Sequence, residues 1–300
     1  MKNNTDITIS DGNVFIDLRL DYAFKITFGK PGNEDLLLKL VRAILPQLNI
    51  TSVTLANQEE VGPRPNTRKA VLDVHCTTAF GEDIIIEMQC AEQFDFGERL
   101  IFYSAFAIQN GVMKGKIGPG TYKFPELYAI GITDFVMEIA RDLKEPINEY
   151  AVLNRKHADI MLSKNVHYVT VELPKLGESL SRSSRDDMIL YGIRDIGSMK
   201  EIPQEYIDAG LEKMFEICRF AKLSKDMQEA YLQEFMKKLD RESQLYTAER
   251  RGRKVGIAEG LEKGRAENAR VTAKKLRELG VEVSVISQAT GLTVAEIQHL

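Results

Sequence analysis

Cysteine is scarce in this sequence: there are three cysteines among 300 residues and no pair at the CxxC spacing. Cys76, Cys90 and Cys218 are too few for a disulfide framework, so a reduced, cytoplasmic setting is expected. Long apolar runs are also missing, and a membrane span needs about 20 mostly apolar residues, so no such span is expected. The first residues are polar and partly acidic, which is not typical of a signal peptide.

The overall composition indicates a globular chain with a sizeable core. Hydrophobic residues make up 44% and charged residues 28% of the sequence, which excludes collagen-like, mucin-like and wholly disordered chains. The net charge of -4 hides an asymmetry, because residues 249–275 contain nine Lys or Arg against four Glu. An isoelectric point of about 5.8 argues against a protein that coats nucleic acid through bulk charge, but it leaves a local basic site open.

Hydrophobic periodicity predicts a strand-containing first part and a helical second part. Alternation and β-branched residues predict strands at residues 51–57, 69–78, 82–90, 126–133 and 166–173. Apolar residues at helical spacing predict helices at residues 17–29, 34–45 and 97–112, with Asn33 as the N-cap of the second. Residues 184–245 are predicted to be helical, with a break at 202–203 and a clear amphipathic helix at 215–239.

Glycine recurs every fourth residue in the basic segment, at Gly252, Gly256, Gly260 and Gly264. On a helix these glycines would form one slowly drifting stripe, and one interpretation is a smooth face for close helix–helix contact, as in a homodimer. The alternative is a polar linker with a simple repeat. Beyond it, residues 271–300 are predicted to form three short helices separated by turns. They would be either a DNA-reading helix-turn-helix or a small interaction or dimerisation cap.

Two acids interrupt apolar strands of the probable hairpin. Asp73 stands in VLDVHC and Glu87 in IIIEMQC, and side chains two apart on a strand share a face. A carboxylate among Val, Ile and Leu is costly to bury unless it is paired or bound to a cation. If both acids face the same side they converge, and oxygen-only ligation suits Mg²⁺ or Mn²⁺. The alternative is that both lie on a solvent-exposed face.

Several short motifs occur along the sequence in an order that is typical of a known protein family. They include DYAFKITFG at residues 21–29, LDVHC, IEMQ, and a spaced run of Phe94, Arg99 and Tyr103. VELPKL at residues 171–176 and TGLTVAEI at 290–297 continue the set. In this order the motifs resemble the Rpn family of recombination-promoting nucleases and transposase-like proteins, within the PD-(D/E)xK nuclease superfamily.

The resemblance implies catalytic roles for four residues. Asp73 and Glu87 would hold the metal ion, Asp21 would supply a further acid from the first helix, and Gln89 would orient the attacking water. Gln89 stands where the superfamily has lysine. Glutamine cannot take a proton at neutral pH, so the general base stays unassigned.

Nearby cationic and aromatic residues are candidate nucleic-acid contacts. Arg99 and Tyr103 lie one helical turn apart and would hold a backbone phosphate and a sugar edge; alternatively, Tyr103 is core and Arg99 pairs with Glu87 or another acid. Lys25 and Lys69 would supply the charge that Gln89 lacks, or are ordinary solvated lysines. A proton relay through the strand histidine at position 75 is weighed against simple packing beside its neighbours.

The expected protein is a metal-dependent DNA endonuclease that uses Mg²⁺ or Mn²⁺ and is linked to recombination or mobile elements. Its α/β core, a mixed sheet flanked by helices, is expected at residues 1–180, followed by a helical region at 181–247, a basic connector at 248–270 and the tail at 271–300. DNA and a second copy of the chain are the expected partners, with no membrane contact. The alternatives are a non-catalytic nucleic-acid-binding or adaptor protein with the same fold, and a phosphodiesterase acting on RNA.

Overall fold

The computed structural model describes residues 14–56, 72–113, 121–177 and 187–300. The chain divides into two compact units, Met1–Glu234 and Phe235–Leu300. Among the described residues, no helix has both the length and the apolar character that a membrane crossing requires. The boundaries that the sequence predicts after residues 180, 247 and 270 stay predictions.

A six-stranded sheet in the order β1-β2-β3-β4-β6-β5 forms the centre of the first unit. The strands are β1 (Val53–Leu55), β2 (Val74–Thr78), β3 (Asp83–Gln89), β4 (Leu127–Thr133), β5 (Ile147–Ala151) and β6 (Val166–Glu172). β3, β4 and β6 run parallel, and the other neighbouring pairs are antiparallel, which confirms the predicted mixed sheet. The carboxyl ends of the parallel strands therefore meet at one edge, where Gln89, Thr133 and Glu172 lie in register.

The sequence-based prediction is wrong at two strands. It misses β5, an edge strand whose residues are partly exposed and therefore lack a continuous apolar pattern. It also begins the second strand too early: Asp73 lies in a bend before β2, and residues 69–71 lie outside the described part.

Nine helices are described. They are α1 (Asp21–Phe28), α2 (Glu34–Ile44), α3 (Phe96–Met113), α4 (Met188–Asp195), α5 (Gln204–Asp208), α6 (Glu212–Cys218), α7 (Lys225–Glu278), α8 (Val283–Thr290) and α9 (Val294–Gln298). The continuous helix predicted at 215–239 is wrong, because α6 ends at Cys218 and α7 begins at Lys225. Backbone pairing explains the break: Arg219 forms a β-bridge with Phe15, and Phe220 N–H donates to the Val14 carbonyl.

Asn33 precedes α2, as predicted, but its side chain does not cap that helix. The Asn33 amide instead donates to the carbonyls of Ile26 and Thr27, at the end of α1. Gly29 follows α1 at a close approach, since a Cβ there would lie 3.3 Å from the Asp73 carbonyl oxygen. The end of α1 is thereby held against the segment that carries Asp73.

Helix α3 packs on the sheet through apolar residues that include Leu100 and Ala107. The contact is close at Gly131 of β4, where a Cβ would lie 2.6 Å from the Phe96 ring. Gly131 is also the β4 partner of Glu87 in the parallel register. A small residue at this position brings the first turns of α3 next to Glu87.

The second unit ends in the three-helix arrangement that the sequence predicts. Gly280 and Gly291, at φ +77° and +73°, follow α7 and α8, where glycine adopts the left-handed backbone without strain. Thr293 caps α9 in a capping box with Glu296. A small core, Ala273, Ile286 and Ile297, joins the helices. DNA reading and interaction both stay predictions for this tail.

The basic connector predicted at 248–270 is helical and belongs to α7. In this described helix, a Cβ built at Gly252, Gly256, Gly260 or Gly264 would meet no atom within 4 Å. The four glycines are therefore exposed to solvent in a single copy of the chain.

Candidate active site

Two buried carboxylates, those of Asp73 and Glu87, form the centre of the candidate site. Asp73 is 2% exposed and Glu87 is 3% exposed. In the β2–β3 pair, Val74 lies opposite Ile86, so the register carried one residue further places Asp73 across from Glu87. The Met88 N–H also donates to Asp73 Oδ2 at 2.8 Å, which fixes the bend against β3. The alternative that both acids lie on a solvent-exposed face is therefore wrong.

Lys25 reaches Asp73 from the middle of α1. Its Nζ lies 2.9 Å from Asp73 Oδ1, and the lysine side chain is 30% exposed. Burial alone would lower the pKa of Lys25, but the nearby carboxylates, chiefly Asp73, outweigh it and raise that pKa. Lys25 therefore stays protonated at neutral pH and is a fixed positive charge in the site.

Arg99, on the first turn of α3, contacts most of the other polar side chains of the site. Its guanidinium pairs with Glu87 Oε1 and donates to Gln89 Oε1 at 2.7 Å and Gln93 Oε1 at 3.3 Å. Its Nε donates to the Tyr103 hydroxyl at 3.0 Å. The sequence leaves two arrangements open for Arg99 and Tyr103. The structure has the second of them, in which Arg99 pairs with Glu87 and Tyr103 packs on the core.

Gln89 lies at the end of β3 with both ends of its amide engaged. The carbonyl accepts from Arg99, and Nε2 donates to the Ala91 carbonyl at 2.9 Å. The side chain is 7% exposed. Its carbonyl oxygen therefore points toward the guanidinium that also holds Glu87.

Asp21 is placed differently from the two buried acids. It begins α1 and is exposed, and its backbone N–H, like that of Tyr22, donates to the Glu234 carboxylate at 2.9 Å. The Asp21 charge nevertheless acts on the site, since it raises the pKa of both Asp73 and Glu87.

Burial disfavours the charged forms of both acids and raises the pKa of each. Burial raises the pKa of Asp73 to about 6, although Lys25 opposes the rise. Burial and then the Asp73 charge raise the pKa of Glu87 to about 8, against the opposing effect of Arg99. Two acids that resist ionisation in this way are typical of a site that binds a cation.

The oxygen atoms of the site meet some of the requirements for binding a hard divalent cation, but not all of them. Glu87 Oε2 is a buried oxygen without a hydrogen-bond partner, and carboxylate oxygens are the ligands that Mg²⁺ and Mn²⁺ prefer. In the described part of the chain, however, no three Asp, Glu, His or Cys side chains converge as a metal-binding group. The ligand set Asp21, Asp73 and Glu87 therefore stays a prediction, in which Asp73 and Glu87 would be the core.

His75, another candidate residue, does not take part in this cluster. His75 Nε2 lies 3.4 Å from Asp83 Oδ1, toward the opposite end of the hairpin, which leaves no contact at the acid pair for a proton relay. Lys69 lies outside the described residues.

Sequence reasoning missed Gln93 and Glu234. Glu234 contacts Asp21 across 213 positions of sequence, so no local pattern could have found it. Gln93 lies six positions before Arg99 in a polar segment, and only its contact with the guanidinium distinguishes it.

Comparison with known families agrees with this geometry. The profile of a family described as PD-(D/E)XK nuclease family transposase matches residues 18–248, which is more than half of the chain. The chain belongs to this family. Neither the curated proteins nor the solved structures contain a significant match.

Membership in the PD-(D/E)XK nuclease family transposases confirms the family and the α/β nuclease-like core that the motifs predict. The match includes α1, the β2–β3 hairpin and α3, and so contains every described residue of the candidate site. It supports a nuclease role connected with mobile elements.

Proposed function

We propose that this protein is a metal-dependent DNA endonuclease whose site is built on Asp73 and Glu87. The observation that carries the proposal is the pair of buried carboxylates, one with an unpartnered oxygen, inside a fold of the PD-(D/E)XK nuclease family. Recombination or mobile-element movement is the biological setting that the family favours.

Hydrolysis of a phosphodiester builds negative charge on the phosphoryl oxygens and on the departing 3′ oxygen. A Mg²⁺ or Mn²⁺ ion held by Asp73 and Glu87, with Asp21 beside them, would neutralise charge and activate water. Lys25 adds a permanent positive charge next to Asp73. In this proposal the Gln89 carbonyl orients the water. Some of the Arg99 N–H groups, which donate within the protein when no DNA is bound, would donate to a phosphate of the substrate instead. Lys69 and Tyr103 stay proposed contacts to the DNA backbone.

The direct experiment is cleavage of supercoiled plasmid by the full-length protein. We expect nicking with Mg²⁺ or Mn²⁺ and none in EDTA, and a matched RNA substrate tests the choice of sugar. Cleavage that persists in EDTA would contradict the proposal.

A second candidate function is a non-catalytic DNA-binding or adaptor protein. It is favoured by one observation: Asp73 and Glu87 are each paired with a cation of the chain itself, Lys25 and Arg99. Divalent-metal titration by calorimetry separates the two functions. Binding that Asp73→Ala abolishes supports the nuclease, and absent metal binding supports the adaptor.

We predict that Arg99→Ala lowers the cleavage rate about a hundredfold, because it removes the charge beside Glu87 and releases Gln89. Arg99→Lys should recover only part of the rate, since an ammonium lacks the planar fork that reaches several acceptors. Steady-state kinetics on a labelled oligonucleotide measures both. Arg141→Ala, at an exposed arginine of the same unit, is the matched control and should be unchanged. Equal rates for Arg99→Ala and wild type would exclude this role.

The basic part of α7 provides a further prediction. Replacing Arg250, Arg251, Arg253 and Lys254 with Gln should weaken DNA binding and make its salt dependence shallower, by about 0.9 in log–log slope for each lost phosphate contact. Fluorescence anisotropy at several salt concentrations measures this slope. Glu259→Gln is the control on the same helix and should leave the slope unchanged.

The proposed homodimer is tested on the same helix. If the glycine stripe is a contact between copies, Gly256→Leu combined with Gly260→Leu should halve the mass in solution while leaving the salt slope unchanged. Sedimentation equilibrium measures the mass. A wild-type protein that is already monomeric would contradict the dimer.

A further inference from the structure

A cleft of about 380 Å³ lies beside the candidate site, between the segment after β3 and the segment after β4. This volume falls within the usual range for small-molecule sites, about 300–1,000 Å³. Phe94, Phe135 and Ile139 are among its apolar lining residues. Phe135 is held edge-on against Phe96, with ring centroids 6.1 Å apart, so this wall is anchored to the core.

Phe94 is the most unusual residue of the cleft. It belongs to the motif run with Arg99 and Tyr103, yet its side chain is 89% exposed. A phenyl ring at the mouth of a cleft contributes nothing to core packing while it is exposed to this degree. It does offer a flat apolar surface on which another ring can stack.

The charged residues that line the cleft are all acidic. They are Glu92, Glu98 and Glu138, and neither Lys nor Arg is among the described lining residues. A phosphate would be repelled here. Carboxylates do accept hydrogen bonds from the ring N–H and amino groups of nucleobases, as they do from cytosine N4 in DNA grooves.

Gln93 connects the cleft to the candidate site. It lines the cleft, and its Oε1 accepts from Arg99, which also holds Glu87 and Gln89. A strand whose phosphate lies at the two carboxylates would therefore have an adjacent base within reach of the cleft, because a base is one sugar away from its phosphate.

We propose that this cleft binds one unpaired nucleobase of the DNA substrate, stacked on Phe94. The proposal rests on the proposed nuclease function and adds a substrate class to it. A base paired within a duplex would first have to be unpaired and unstacked, at a cost in energy, so the preferred substrate is single-stranded, frayed or branched DNA. Bases with amino groups, such as cytosine and adenine, match the carboxylates better than thymine does.

The test uses full-length protein and a short single-stranded oligonucleotide that carries 2-aminopurine, in EDTA and again with Ca²⁺. Stacking quenches the 2-aminopurine fluorescence, and anisotropy of an end label gives the affinity. Phe94→Ala should abolish the quenching and weaken binding about fivefold or more. Phe94→Tyr should preserve both. Phe80→Ala is the matched control, since Phe80 is 71% exposed but lies outside the cleft.

An abasic residue scanned along the oligonucleotide identifies the base that is bound. At one position it should weaken wild-type binding as much as Phe94→Ala does, and the two changes together should be no worse than either alone. Additive losses at every position would overturn the proposal. So would unchanged quenching and affinity in Phe94→Ala, which would leave the cleft to another kind of occupant.

A failure of the base-binding proposal can be told apart from a failure of the nuclease proposal. Glu87→Gln should lose cleavage and keep the 2-aminopurine quenching. A wild-type protein that quenches but never cuts would contradict the nuclease and support the base site. A wild-type protein that binds no DNA in either condition would contradict both.

Discussion

Glu87→Gln is expected to lower the rate of DNA cleavage by at least about a hundredfold, the largest functional effect that the structure predicts. Gln has the same shape and can still accept from Arg99, but it lacks the charge that would hold a divalent cation. Asp73→Asn should have a similar effect, because Asp73 lies across from Glu87 and would hold the same ion. Single-turnover cleavage of a labelled oligonucleotide with Mg²⁺ measures the rate, and circular dichroism checks that the fold is retained.

Asp83→Asn is the matched control for this experiment. Asp83 lies on the same strand, but it pairs with His75 and Thr77 away from the site. Its variant should cut at the wild-type rate. Undiminished cleavage in Glu87→Gln would point to a contaminating nuclease or to a different site.

The metal-free protein is expected to lose stability as pH rises from about 5 to 9. The pKa of Glu87 is raised from its ordinary value of 4.5 to about 8 in the folded state, so the folded protein holds its proton more tightly than the unfolded chain. The stability from this group is therefore complete below the ordinary pKa and is lost as pH rises through about 8. One pKa unit corresponds to about 1.4 kcal/mol, so a few kcal/mol are expected, or about 5 °C or more in Tm.

Thermal unfolding in EDTA across this pH range tests the expectation. Glu87→Gln should flatten the profile and raise Tm at the alkaline end, so the inactive variant should be the more stable one. Asp83→Asn should keep the wild-type profile. Adding Mg²⁺ to the wild-type protein should restore stability above pH 8, because metal binding favours the ionised acids. A wild-type Tm that rises toward pH 9 in EDTA would contradict the expected direction of the pH dependence.

The acid pair illustrates what a sequence pattern can predict. Asp73 and Glu87 each interrupt an apolar run, and the short turn around Gly81 brings their strands together, so convergence follows from local rules. The tail is similar: Gly280, Gly291 and the Thr293 cap are local signals, and all three are found where they were expected.

Other features depend on contacts between distant segments. The pattern places Lys25 and Arg99 on helices but does not say which acid each one meets. That depends on the docking of α1 and α3 against the sheet at Gly29 and Gly131. Glu234 reaches the start of α1 from a helix that follows the whole sheet, and such a contact leaves no trace in local periodicity.

By itself, the sequence determined the mixed α/β class, the identity of the two candidate acids, the helical end of the chain and the family, because each depends on short-range periodicity or on an ordered set of motifs. Only the tertiary structure decided that the two acids are buried, that Lys25 and Arg99 pair with them, that Gln89 faces Arg99, and that Phe94 stands at the mouth of a cleft. The physical reason is that charge pairing and cavity shape arise from the packing of helices on the sheet, which brings together side chains that no local spacing relates.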